Sequence, residues 1–183
     1  MFQLISQTSD WYNLSDEEMK MYLDQIQVPG NANRIDLSVS HFLKINTDSE
    51  DTVKMRSSLA LDTYDYVLAA VNNREDETRE GGTHWSLLVY TRESNTYYHL
   101  DSVEPLNCPH AQRLAVALSG DPDVNVVQMQ CRQLKSGVEC GGYVVHYIEL
   151  TCSMIVNISI KAFSDIPSDF ERATVICREN TIQ

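Results

Sequence analysis

Apolar positions set the frame of this chain. Met19, Tyr22, Leu23 and Ile26 recur at three- and four-residue spacing, which predicts a helix over residues 14–27. Ser15 followed by Glu18 has the pattern of a capping box at its start, and Pro29-Gly30 closes it. Residues 35–39 are expected as a short strand, and 40–45 and 52–61 as short helices. Residues 64–71 are apolar and rich in β-formers, so they predict a strand. Residues 74–82 are charged and end in two glycines, which makes them a loop. Residues 85–90 and 96–100 form two further strands. Their short polar connection predicts a hairpin. A helix over 109–118 turns Leu114 and Leu118 inward, and Gly120 to Pro122 make a turn. Residues 124–129 alternate apolar and polar positions as a half-buried strand does. After a polar loop over 131–139, Cys140 opens a strongly apolar helix reaching about residue 155. A last helix is expected over 168–179. Strands clustered in mid-sequence between helices imply an α+β fold, a mixed central sheet flanked by helices, in one domain over residues 1–183.

Composition narrows the partners. The chain has 183 residues and a formal net charge of -12. Nucleic-acid binders present a basic face, so nucleic acid is not an expected partner. A basic protein partner suits an acidic surface, because complementary charge speeds encounter; the same acidity also serves solubility alone. No window approaches the roughly 20 apolar residues of a membrane span, and no N-terminal stretch reads as a signal peptide. The five cysteines include no Cys-x-x-Cys pair of the kind that holds zinc, so no metal or other cofactor is expected. Free thiols suit a reducing compartment, cytoplasmic and nuclear, and the chain is expected to be a monomer.

Nucleophilic cysteine chemistry needs a thiolate, a histidine to hold and return the proton, and a group to orient the histidine. Cys140 is placed at a helix N-terminus, where orphan N–H groups and the positive dipole end favour a thiolate and can bind an oxyanion. His84 begins one strand of the hairpin and Asp101 ends the other, so the hairpin can set them side by side. Gln133 lies in the loop before Cys140 as a candidate second oxyanion donor. Each residue alone has a plain structural alternative. Asp101-Ser102 also reads as a turn starter, and Trp85 as a core residue beside the sheet. His41, His99, His110 and His146 remain alternatives on composition.

As a set, in the order His, Asp, Gln, Cys, these residues resemble the Ulp/sentrin-specific cysteine proteases of ubiquitin-like modifiers. The run Gly81-Gly82-Thr83-His84-Trp85-Ser86-Leu87-Leu88-Val89-Tyr90 is similar to the deneddylase branch of that family. Residues 66–72, Tyr98-His99-Leu100-Asp101-Ser102 and Cys140-Gly141 extend the likeness across about residues 64–150. The resemblance implies a papain-like, two-lobed α+β protease fold with His84, Asp101 and Cys140 as the triad. It implies cleavage after the C-terminal diglycine of a modifier, Nedd8-type favoured, freeing it from its conjugates. Trp85 would roof the tunnel that admits only glycines, Gly141 would line the tail beside the nucleophile, and Asp16 would hold the modifier's tail from the N-terminal helix. Two departures stand out. Gln133 lies seven residues before Cys140 where six are usual, so that Leu134 holds the expected place, and Glu139 stands where an aspartate is usual. Other activities on this scaffold are a desumoylase or deubiquitinase, and the acetyltransferase branch of bacterial effectors. A non-catalytic binding module for ubiquitin-like proteins is the third class, and the intact triad argues against it.

Overall fold

A computed structural model describes residues 14–47, 49–76, 82–131, 133–134 and 139–157. Five strands form one sheet in the order β1-β2-β3-β4-β5: Ala32–Arg34, Tyr66–Asn72, Trp85–Thr91, Thr96–Leu100 and Val126–Met129. β1 runs parallel to β2 and β4 parallel to β5, while β2, β3 and β4 are antiparallel neighbours. The expected mixed sheet is therefore present. Side chains alternate across it with a period of two. Leu68, Ala70, Trp85, Leu87, Val89 and Leu100 join a core shared with α1 (Asp16–Leu23) and α5 (Cys140–Asn157). Val67, Ala69, Val71, Leu88 and Tyr97 join a second core, shared with α2 (Leu37–Ile45) and α4 (Cys108–Ser119). A short helix α3 (Glu50–Ser58) packs on α2 and α4. Helices thus flank both faces of one sheet.

The local signals explain most boundaries. The Ser15–Glu18 capping box forms in both directions and starts α1. That helix ends at Leu23, sooner than expected, because Asp24 caps it. Gly120 ends α4 at φ 75°, a left-handed value that glycine adopts without strain. The strand expected at 35–39 is a correction. The observed strand is Ala32–Arg34, and Ile35 only adds one hydrogen bond, from its N–H to the Leu68 carbonyl. Asp36 then caps α2 by accepting from the Ser38 N–H, so Val39 is helical despite its β-branched side chain. The last expected helix, 168–179, lies outside the described residues. Among the described residues no helix is long and apolar enough to cross a membrane, and no group of three or more His, Cys, Asp or Glu is placed to hold a metal.

Candidate active site

The hairpin brings His84 and Asp101 together through its register. Leu87 pairs with Leu100, and extending that ladder sets Asp101 opposite Ser86. His84 is the diagonal neighbour on the same face, within reach of a long side chain. The contact is made: His84 Nε2 lies 2.5 Å from Asp101 Oδ1. Both side chains are buried, with His84 1% and Asp101 2% exposed. Asp101 also accepts the Val103 N–H at Oδ1 and the Asn107 N–H at Oδ2. The turn-starter reading of Asp101 is realised, and the same carboxylate also meets the His84 ring.

Burial alone would raise the Asp101 pKa. The His84 hydrogen bond and the two N–H donors outweigh it and hold the carboxyl below its ordinary value. Burial would likewise lower the His84 pKa. Asp101 and Cys140, the two groups that interact with the ring, outweigh that effect and raise it to about 9. Nε2 is taken by Asp101, which leaves the buried Nδ1 for Cys140. Nδ1 makes no hydrogen bond in this structure, and catalytic contacts commonly tighten only once substrate is bound.

Cys140 is the first residue of the 18-residue α5, so the unpaired N–H groups of the first turn lie beside its sulfur. Gly141 lets the N-terminal segment close over this turn: a Cβ there would come within 3.3 Å of Leu14 Cβ. Asp16, two residues beyond Leu14, is the first residue of α1 and carries first-turn charge. The other described cysteines are different. Burial pushes the thiols of Cys131 and Cys152 up to about 11, and raises Cys108 as well. None of those three has a histidine as partner. Cys131 instead donates its S–H to the Asp101 carbonyl.

Gln133 is placed otherwise than the sequence suggests. Its Nε2 donates to the carbonyls of Asp101 (2.9 Å) and Cys131 (3.2 Å), and its Oε1 accepts the Glu104 N–H. Both amide hydrogens are therefore committed to backbone, and none is left for an oxyanion. The reason is local. Leu134 donates its N–H to the Ser102 carbonyl and packs its side chain on the core, which turns the neighbouring Gln133 outward along the Asp101 loop. Trp85 is 3% exposed and shares the apolar cluster of Cys140.

Several supporting residues escaped sequence reasoning. Asn73 clips the start of β3: its Oδ1 accepts from the N–H groups of Thr83 and His84, and its N–H donates to the His84 carbonyl. Lys44, 2% exposed, donates three 2.6 Å hydrogen bonds to the Asn72 carbonyl, Asn72 Oδ1 and the Arg74 carbonyl. Burial lowers its pKa to about 8. Asn107, wholly buried, binds Val71 and Ser86 through its side chain. Asn73 follows the end of β2, Lys44 lies within α2 and Asn107 precedes α4, positions shared by many polar surface residues.

A cysteine at a helix start, a histidine and a buried carboxylate on a mixed sheet define a papain-like, Ulp-type cysteine protease fold. Solved structures share it. The Xanthomonas campestris effector protein XopD bound to ubiquitin superposes with a TM-score of 0.66 at 19% identity, covering 92% of this chain and 89% of that one. The Ulp1 protease domain in complex with Smt3, the yeast ortholog of SUMO, superposes at 0.53 and 18% identity, covering 91% and 72%. In sequence the chain is 30% identical to human sentrin-specific protease 8 over 120 residues, 62% of this chain and 56% of that protein. It is 30% identical to NEDD8-specific protease 1 of Arabidopsis thaliana over 151 residues, 76% of this chain and 65% of that protein. The chain thus spans little more than half the length of the human relative it matches. No family model matches. With the fold and the ordered motifs, these likenesses make the chain similar to the Ulp/sentrin-specific cysteine proteases.

Proposed function

We propose that the protein is a cysteine isopeptidase that cleaves after the C-terminal diglycine of a ubiquitin-like modifier, with a Nedd8-type modifier favoured. The observation that carries this reading is the placement of His84 between the buried Asp101 carboxylate and Cys140 at the start of α5. The name of the Arabidopsis thaliana relative at 30% identity, NEDD8-specific protease 1, favours Nedd8. A desumoylase or deubiquitinase is the second reading, favoured by neighbours of the same fold in complex with Smt3 and with ubiquitin. The proposed site of action is a reducing compartment, cytoplasmic or nuclear, where a nucleophilic thiol persists.

The steps follow from the geometry. His84, charged and hydrogen-bonded to Asp101, faces the Cys140 sulfur across Nδ1. The Cys140 thiolate attacks the carbonyl carbon of the modifier's last glycine, forming the S–C bond as the C=O π electrons move onto the oxygen. First-turn N–H groups of α5 are the donors placed for that oxyanion. The His84 proton passes to the leaving lysine amine as the C–N bond breaks, which leaves a thioester on Cys140. His84, now neutral, takes a proton from water, and the hydroxide equivalent releases the modifier's carboxylate and the thiol. Cys140 is 5% exposed, so an incoming tail must displace the cover of the site. Trp85 is the proposed lid, which leaves the tail room for backbone alone. Gly141 and Asp16 are the proposed contacts on the tail from α5 and α1. We propose that the protein acts as a monomer.

The test is a panel of C-terminal amide substrates built on Nedd8, SUMO and ubiquitin. The expected order of kcat/KM puts Nedd8 first; a preference for SUMO or ubiquitin establishes the second reading instead. Hydrolysis of none contradicts the proposal.

A further inference from the structure

Asn107 occupies the N-cap position of α4, yet its side chain makes no capping hydrogen bond. Asparagine is favoured there because its side-chain oxygen caps the helix, so this side chain has been diverted. It turns inward, wholly buried, and donates through Nδ2 to the Val71 carbonyl (2.9 Å) and Ser86 Oγ (3.0 Å). The carbonyl can only accept, so the donor assignment is fixed. Val71 belongs to β2 and Ser86 to β3, so the amide staples the loop after β4 to two strands. The backbone N–H of the same residue is the donor to Asp101 Oδ2.

Behind Asn107 runs a chain of polar groups with one direction. Burial lowers the pKa of His99. In the neutral ring, Nδ1 lies 2.6 Å from Gln128 Oε1, an acceptor, and so carries the hydrogen. Nε2 is then an acceptor for Ser86 Oγ at 2.8 Å. Ser86 spends its hydrogen on His99 and uses a lone pair for Asn107 Nδ2. Every donor in this chain finds an acceptor, and the Asn107 side chain is held through the two hydrogen bonds of Nδ2, while its buried Oδ1 has no hydrogen-bond partner. Asp101, in turn, is held on one oxygen by Val103 and on the other by Asn107.

We propose that Asn107, locked by the Ser86–His99–Gln128 chain, is a positioning residue that sets the Asp101 carboxylate against His84. The proposal rests on the hydrolase reading of the site. Removing the amide frees the loop over 102–107 from the sheet, and the N–H on Asp101 Oδ2 loses its fixed place. The carboxylate then strays from the His84 ring. A merely structural residue would lower stability and leave the titration of His84 as it is.

The test compares the protein with its Asn107→Ala and Ser86→Ala variants. The readouts are kcat and KM on the modifier amide that the protein hydrolyses, the pH profile of kcat/KM, and the NMR titration of His84. Around that ring stand Asp101 from the end of β4, Cys140 from α5 and His99 from β4; Asn107→Ala reaches the ring through the Asp101 loop, while Ser86→Ala also removes the donor to His99 Nε2. Asn107→Ala is expected to lower kcat on the order of 10²-fold with KM unchanged, the scale of a misplacement of about 1 Å. The His84 pKa and the alkaline limb are expected to move down, because the group that raises them is no longer held. Ser86→Ala, which removes a single oxygen, is expected to lower kcat by about 10-fold with a shift of the same sign. If Asn107→Ala does not fold, Ser86→Ala decides the matter. A folded variant with normal kcat and an unmoved His84 titration overturns the proposal. If the parent protein hydrolyses no modifier amide, the hydrolase reading fails on its own, and the His84 titration alone then judges Asn107: a downward shift supports its role and no shift overturns it.

Discussion

Two buried histidines of the β3–β4 hairpin have opposite fates. His84 is 1% exposed and His99 0%. They lie on the same face of the hairpin, with Ser86 between them along β3 and Asp101 two residues beyond His99 along the other arm. Burial disfavours the charged form of both. At His99 the neighbours are a hydroxyl and an amide, neutral groups that do not repay the desolvation, so its pKa is lowered. At His84 a carboxylate lies 2.5 Å from Nε2, with Cys140 on the other side, and the pKa is raised to about 9. Neither ring reaches solvent and His99 lies the deeper of the two, so desolvation prevails at His99, whereas contact with Asp101 and Cys140 outweighs it at His84. A residue type at a strand end therefore does not define an active-site histidine. Its partners do.

The comparison can be broken most completely at the sulfur. Cys140→Ala is expected to abolish turnover while leaving modifier binding intact, measured by hydrolysis and by titration calorimetry. Residual activity near the parent level would assign the nucleophile elsewhere. Asp101→Asn should make His84 resemble His99. Turnover should fall on the order of 10⁴-fold, the scale known for the serine-protease triad. Losing the carboxylate lowers the His84 pKa, so the alkaline limb of kcat/KM, expected near pH 9 in the parent, should move to lower pH. A limb that stays in place would mean that another group sets it.

Gln133→Ala tests the oxyanion donor. Its amide serves the carbonyls of Asp101 and Cys131, so the expected loss is indirect, about 10-fold and in kcat. A loss of roughly 10²–10³ would show instead that Gln133 leaves those carbonyls and donates to the oxyanion. The smallest effect on activity is expected for Gln128→Glu, which gives His99 a carboxylate of its own. The His99 pKa should rise, read by NMR. An unchanged value would mean that burial, and not the neighbour's charge, governs these rings.

The legible part of this molecule was the part written in periodicity and in ordered motifs. The 3.6-residue spacing of α1 and its capping box mark a helix that buries Met19 and Leu23, although it ends four residues early, and the alternation of β5 marks a strand whose Val126 and Val127 pack on opposite cores. The hairpin placed His84 and Asp101 correctly because register is a local property of two adjacent strands. What escaped was long-range. Nothing near Asn107 in sequence reveals that its amide will meet Val71, 36 residues earlier. Lys44 reads as a surface charge, yet its acceptors lie 28 and 30 residues away. Gln133 was placed by its distance from Cys140 along the chain, whereas its amide answers to the Asp101 loop. The strand at 32–34 was shifted because Asp36 acts as a cap, an outcome its neighbours' β-propensity conceals.

The most direct measurement joins the nucleophile to its substrate. A Nedd8 carrying an electrophile in place of its last residue is reacted with the protein, and the adduct is mapped by mass spectrometry. The account predicts a single adduct on Cys140, lost in Cys140→Ala and slowed in Asp101→Asn. An adduct on Cys131, or labelling that survives Cys140→Ala, would contradict it.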